Sequence, residues 1–200
     1  MKNLQLFHRL VEKSIKEKTI DKRTEDSLNW YRKKVSAFWG DKNYVNPASV
    51  FGRKAKDKFS GIMPGMFYAF KYDPVGKTTL PYYDKFPLIL CLKKVERGFL
   101  GLNFHYLSPK DRAYFMDKLY RYRHFDEDLG EVINISYEEL KKKFSLRHYK
   151  ACIKRYRFGH IKNMFMQIHG YEWKVALFLP SDVFNAPRSV VWKDSKEISK

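Results

Sequence analysis

Apolar residues change their period along the chain, and the changes divide it. Leu4, Phe7, Leu10, Val11 and Ile15 recur at helical spacing, and Leu28, Tyr31, Val35 and Phe38 share one face of a second helix that opens at Thr24. Residues 40–62 lose that period: Gly40, Pro47, Gly52 and Gly61 lie among five basic residues from Lys42 to Lys58, the composition of a loop or linker. From Met63 the pattern is that of strands. The aromatic run 66–72 ends at the turn signal Asp73-Pro74, 76–79 continues a loop, and 86–92 is a continuous apolar run suited to a central strand that starts near Pro87. Arg97-Gly98 is a hairpin-turn candidate leading into a third strand over 99–106.

Helical signals return at Ser108-Pro109-Lys110-Asp111, with Ser108 as N-cap, and the helix that follows puts Ala113, Met116, Leu119 and Tyr120 on one face. A second capping box, Ser136-Tyr137-Glu138-Glu139, opens a short helix through Phe144. Residues 146–168 fit helix and strand equally, 171–178 reads as a short helix closed by Pro180, and the last dozen residues read as a surface tail. Together these elements predict an α+β fold: a small, strongly curved antiparallel sheet or partial SH3-like barrel with helices packed around it and an N-terminal helical arm. In domain terms, 1–62 is the basic arm and linker, 63–182 the α+β core and 183–200 the C-terminal tail. Gly65, Gly98 and Gly101 mark turns or close backbone approach, and Tyr82, Tyr83 and Phe86 are candidates to fill the sheet's interior.

Composition sharpens this picture. An apolar content of 44% and an aromatic content of 17% over 200 residues exclude a globally disordered chain. No apolar stretch of membrane-spanning length occurs, and the start lacks the apolar region of a secretory signal, so the expectation is a soluble protein that stays in the cytoplasm in which it is made, without a membrane partner. Cys91 and Cys152, the only cysteines, read as reduced packing residues and exclude a disulfide framework or a structural zinc site.

The formal charge of +18 is unevenly spread. Residues 1–60 carry net +8, 61–107 net +3, 108–144 net 0 and 145–200 net +7. The excess is therefore a pair of basic regions and not a uniform solubility coat. Two clusters interleave it with aromatics. One runs from Trp30-Tyr31 through Arg32, Lys33 and Lys34 to Arg53, Lys54, Lys56 and Lys58; the other places Arg147, Lys150, Lys154, Arg155 and Arg157 with two tyrosines in eleven residues. Basic side chains neutralise phosphates and release counterions, and exposed aromatics stack on bases, so these twelve residues are the candidate DNA contacts. No helix-turn-helix, zinc-finger or ribonucleoprotein signature supports sequence-specific readout.

Catalytic signatures are sparse. Gly76-Lys77-Thr78 has the ending of a phosphate-binding loop, but Lys71 stands where the motif requires glycine, so a hairpin loop is the better reading. Asp126-Glu127-Asp128 and Glu138-Glu139 suit a turn and a helix start. Asp73 and Asp84 are the carboxylates embedded in the β region, and His105 and His160 read as histidines bonded to backbone. No nucleophile-elbow pattern suggests a hydrolase triad, and neither metal nor cofactor is expected.

The text of 63–74, 80–88 and 98–107, from Met63-Pro64-Gly65-Met66-Phe67-Tyr68-Ala69-Phe70 to Gly98-Phe99-Leu100-Gly101-Leu102-Asn103-Phe104, resembles the DNA end protector proteins of T4-type bacteriophages. The similarity extends from about Ser27 to Pro180. The resemblance implies a non-enzymatic minor virion protein that binds the ends of the packaged linear double-stranded genome and shields them from host exonuclease. It also implies residence in the virion, then in the host cytoplasm, and other phage head or neck proteins as partners. It supplies no DNA-contact motif, so the candidate contacts rest on charge alone. Two other readings stand beside it: a structural head-completion, neck or baseplate subunit without a DNA-end role, and a nuclease using Asp73, Asp84 or His105.

Overall fold

The computed structural model describes residues 61–144, 149–162, 165–179 and 181–198. The N-terminal arm, with Arg32, Lys33, Lys34, Arg53, Lys54, Lys56 and Lys58, lies outside the described residues, as does Arg147.

The described chain is α+β. Strands β1 (Phe67–Ala69), β2 (Leu88–Val95), β3 (Gly98–Asn103), β6 (Ile153–Arg157) and β7 (Met166–Ile168) form an antiparallel sheet in the order β6-β3-β2-β1-β7. Strands β4 (Arg123–Asp126) and β5 (Gly130–Ile133) form a separate hairpin. Of the two expected architectures the order corresponds to the sheet, since the outer strands β6 and β7 do not pair with each other. Helix α1 (Pro109–Leu119) is capped by Ser108, and α2 (Tyr137–Lys143) carries the expected capping box of Ser136 and Glu139. Helices α3 (Trp173–Phe178) and α4 (Arg188–Ile198) follow.

Both faces of the sheet are covered, which explains why 86–92 reads as unbroken apolar sequence. Phe67, Leu88, Leu90, Leu102 and Ile168 point into the larger core with Phe115, Leu119 and Trp173 from the helices. Tyr68, Phe70, Ile89, Cys91, Phe99 and Tyr156 point the other way, under Ile62, Ile161 and Phe165, with Leu129 and Val132 of the β4–β5 hairpin against them. This second layer is aromatic: Phe70 meets Tyr156 edge-on at 5.3 Å between ring centroids, and Phe99 stacks on Tyr156 at 5.4 Å. Cys91 and Cys152 are free and buried, and burial pushes both thiols up to about 12.

Glycine is required where backbones touch. A Cβ on Gly98 would lie 2.0 Å from the Tyr156 carbonyl oxygen of the paired strand, and one on Gly65, at φ +85°, 2.8 Å from that of Ile133. The β2–β3 turn centres on Glu96-Arg97, with Arg97 at φ 57°, so Gly98 is the first residue of β3 and not part of the turn. Phe86 is buried as expected, but Tyr82 and Tyr83 are only half-buried.

Three local expectations are corrected. The third strand stops at Asn103 because its side chain accepts from the His105 N–H and caps a 3-10 turn over Phe104–Tyr106. The ambiguous segment contains β6 and β7, strands whose buried partners come from remote sequence. The last dozen residues, expected as a surface tail, contain α4, which buries Val191 and donates from Trp192 Nε1 to the His105 carbonyl at 2.9 Å.

Candidate nucleic-acid interface

The strand β6 sorts the C-terminal basic cluster by its period of two. Tyr156 points into the aromatic layer, while Arg155 and Arg157 project to the other side and are exposed. Lys154 shares the side of Tyr156, with its Nζ 4.2 Å from the Tyr106 ring centroid; burial holds its ammonium below the ordinary lysine value. Lys150 is exposed in the 3-10 turn before β6, and Arg155 donates to the Glu96 carbonyl at 3.1 Å. Contiguous in sequence, the cluster is therefore divided in space: Lys150, Arg155 and Arg157 face solvent, whereas Lys154 packs on an aromatic ring.

A second basic surface is assembled by backbone pairing. The Tyr72 N–H donates to the Lys85 carbonyl at 2.9 Å, the Lys162 N–H to the Lys71 carbonyl at 2.8 Å, and Tyr72 pairs with Ile161 in an isolated antiparallel bridge. Lys71, Lys85 and Lys162 thus line one open groove of about 580 Å³ with Tyr72, Tyr83 and Asp73. Asp73 does not cancel them, because Lys77 Nζ holds its Oδ1 at 3.0 Å. The Lys77 hydrogen bond keeps that carboxyl below its usual value against the opposing effect of desolvation, and the charges of Lys77, Lys162 and His160 add to the lowering. The groove meets β6 where the Arg157 N–H donates to the Tyr72 hydroxyl at 3.4 Å. Three exposed ammonium groups beside two tyrosines suit a phosphate backbone. Each lysine stands alone in its segment, so sequence clustering did not find them; only the pairing of three remote segments does.

Between this groove and α4 lies a buried polar network. Asp84 Oδ1 accepts from the Phe86 N–H at 3.0 Å, and its Oδ2 accepts from Asn103 Nδ2 at 3.0 Å and from His105 Nδ1 at 2.7 Å, a carboxylate being able only to accept. His105 Nε2 is 3.1 Å from Ser181 Oγ. The order Asp, His, Ser is that of a hydrolase triad, and no sequence pattern announced it. Yet Asp84, His105 and Ser181 are only 3%, 0% and 1% exposed, so the serine has no opening through which a substrate could reach it. The network ties the sheet to the C-terminal segment. The expectation that His105 bonds to backbone is corrected here: both of its ring nitrogens bond to side chains, Nδ1 to Asp84 and Nε2 to Ser181.

The adjoining Arg112 is also buried and donates to the carbonyls of Leu107, His105 and Leu177. Asp182 Oδ2 lies 3.5 Å from Arg112 and 2.9 Å from Arg188. Burial pushes the Asp182 carboxyl up, but Arg112, His105 and Arg188 together hold it below its usual value. Asp73 and Asp84 thus sit in separate settings, one paired at the groove and one in the network. His160 lies beside the groove, its ring 6.0 Å from that of Tyr72. Among the described residues no group of three or more His, Cys, Asp or Glu could hold a metal, and no helix is long and apolar enough to cross a membrane.

A family model described as phage T4 terminal DNA protecting protein matches residues 4–195. No curated protein and no solved structure matches the chain. The match covers the sheet, the basic groove and α4 as far as Ser195, and the chain belongs to the phage T4 terminal DNA protecting protein family.

Proposed function

We propose that the protein binds the ends of a packaged linear double-stranded phage genome, mainly through phosphate contacts, and shields them from host exonuclease without an enzymatic step. The observation that carries this reading is the family match over nearly the whole chain. The charge of +18 and the Lys71, Lys85 and Lys162 groove supply the physical means. The contact surface comprises this groove, the exposed Lys150, Arg155 and Arg157 of the β6 region with Arg147, and the basic N-terminal residues Arg32, Lys33, Lys34, Arg53, Lys54, Lys56 and Lys58. Lys154 contributes less, because its ammonium is partly desolvated on Tyr106. The protein travels in the virion beside head or neck proteins and reaches the host cytoplasm with the genome.

A gel-shift competition between linear and circular DNA of equal length tests the end preference. Linear competitor is expected to displace a labelled linear duplex at least tenfold more effectively than circular competitor, and both complexes are expected to weaken steeply with salt. Equal competition by the two forms would reduce the function to general duplex binding.

A further inference from the structure

A second cavity lies between the 3-10 turn after β3, α1 and α4. It measures about 410 Å³, within the range of small-molecule sites. Its aromatic walls are Tyr106, Tyr114, Tyr149 and Trp192, and Lys118 and Lys196 stand at its edge. Tyr149 stacks on buried Phe115 at 3.7 Å between centroids, and Trp192 is fixed by its bond to the His105 carbonyl, so two of the walls are held in place before any ligand arrives. Tyr114, by contrast, is 59% exposed, with Lys118 Nζ 4.4 Å from its ring centroid. Flat apolar faces bordered by ammonium groups match a nucleotide, whose base offers a π-face and whose phosphate offers charge. Asp111 also lines the cavity and holds Lys196 at 3.4 Å, while Lys118 sits over the Tyr114 ring, so the ammonium beside the exposed aromatic wall is that of Lys118.

The position of the cavity relative to the groove adds a second argument. Strand β6 places Lys154 against Tyr106 of this cavity and the Arg157 N–H on Tyr72 of the basic groove. Those two positions are three residues apart, about 10 Å along a strand. Strand β6 thus contacts one aromatic residue of each site, which makes groove and cavity neighbours in the fold, and a DNA strand on the groove is taken to reach the cavity with its last nucleotide. Phosphate contacts are the same at an end and in the interior, so they cannot select ends. A base in the middle of a duplex is paired and stacked and enters a pocket only at an unstacking cost, whereas an overhanging base is already unpaired and a terminal pair is stacked on one side only.

We infer that the cavity walled by Tyr106, Tyr114, Tyr149 and Trp192 takes an unpaired nucleobase at the terminus of bound DNA, and that this contact is what distinguishes an end from internal duplex. The inference rests on the DNA-end reading above.

The test compares a linear duplex carrying a one-nucleotide overhang with the same duplex whose overhanging residue is abasic, so that the phosphates are unchanged. The full chain is expected to bind the base-bearing overhang about tenfold more tightly, a value within the range of single base–aromatic stacks. Tyr114→Ala is expected to erase that preference while leaving affinity for circular duplex and thermal stability unchanged, and Tyr114→Phe to keep it. Equal affinity of the unaltered protein for both overhangs, with linear DNA still preferred to circular, would overturn the pocket while leaving end binding in place. A preference that survives in Tyr114→Ala would also overturn the assignment to this cavity. Failure to bind either duplex would overturn the DNA-end reading itself.

Discussion

Replacing Asp84 by Ala is expected to destabilise the protein by about 3–5 kcal/mol, since a buried donor left without its acceptor costs about 1–3 kcal/mol and Asp84 serves three. The carboxylate is the shared acceptor for the Phe86 N–H, Asn103 Nδ2 and His105 Nδ1. Its removal leaves three buried donors without that acceptor, and each stranded donor carries a desolvation penalty. The damage reaches two layers. Asn103 also donates to the Tyr156 hydroxyl at 3.0 Å in the aromatic layer, and the His105 carbonyl accepts from Arg112 and from Trp192 of α4. In a protein of this size the loss corresponds to a fall in Tm of about 10 °C. Asp84→Asn, which keeps a carbonyl acceptor, should lose less. Denaturant unfolding measures both variants, and a change below about 1 kcal/mol in Asp84→Ala would show that the network does not hold the sheet to the C-terminal segment.

Substituting Lys71, Lys85 and Lys162 together by Gln is expected to weaken binding to all duplex sequences alike, by about 100-fold near physiological salt. Each phosphate contact contributes about 0.9 to the slope of log affinity against log salt, so losing three should flatten it by about 2.7. The three side chains are exposed, so circular dichroism and Tm should be those of the unaltered protein. Affinity measured across a salt series decides the matter. An unchanged slope would move the phosphate contacts to the β6 region or the N-terminal arm.

The local elements were legible in the sequence where the chain itself contains the cause. Ser108 and the Ser136–Glu139 box announce α1 and α2 because capping is a contact between near neighbours. The unbroken apolar run of β2 reflects a strand buried on both faces. Strands β6 and β7 were not legible, because their segments carry basic and polar residues and acquire a strand's partners only from β3 and β1. Helix α4 was missed for a related reason: its charged composition conceals the one face, at Val191 and Trp192, that docks.

The candidate site divides in the same way. Charge clustering found Lys150, Arg155 and Arg157, but it also grouped Lys154 with them, since spacing alone does not say which side of a strand a residue occupies until the strand is known. The Lys71, Lys85 and Lys162 groove joins three residues from separate segments, and the Asp84, His105 and Ser181 network joins three more. Neither leaves a local pattern to read.

Protection of DNA ends is most directly measured by incubating linear duplex with saturating protein and then with an exonuclease that acts only from ends, beside an endonuclease that cuts internal sites. Full-length DNA should survive the exonuclease, while endonuclease cutting proceeds at nearly the rate seen on bare DNA. Degradation by the exonuclease at the rate of bare DNA, with the protein demonstrably bound, would contradict the proposed function.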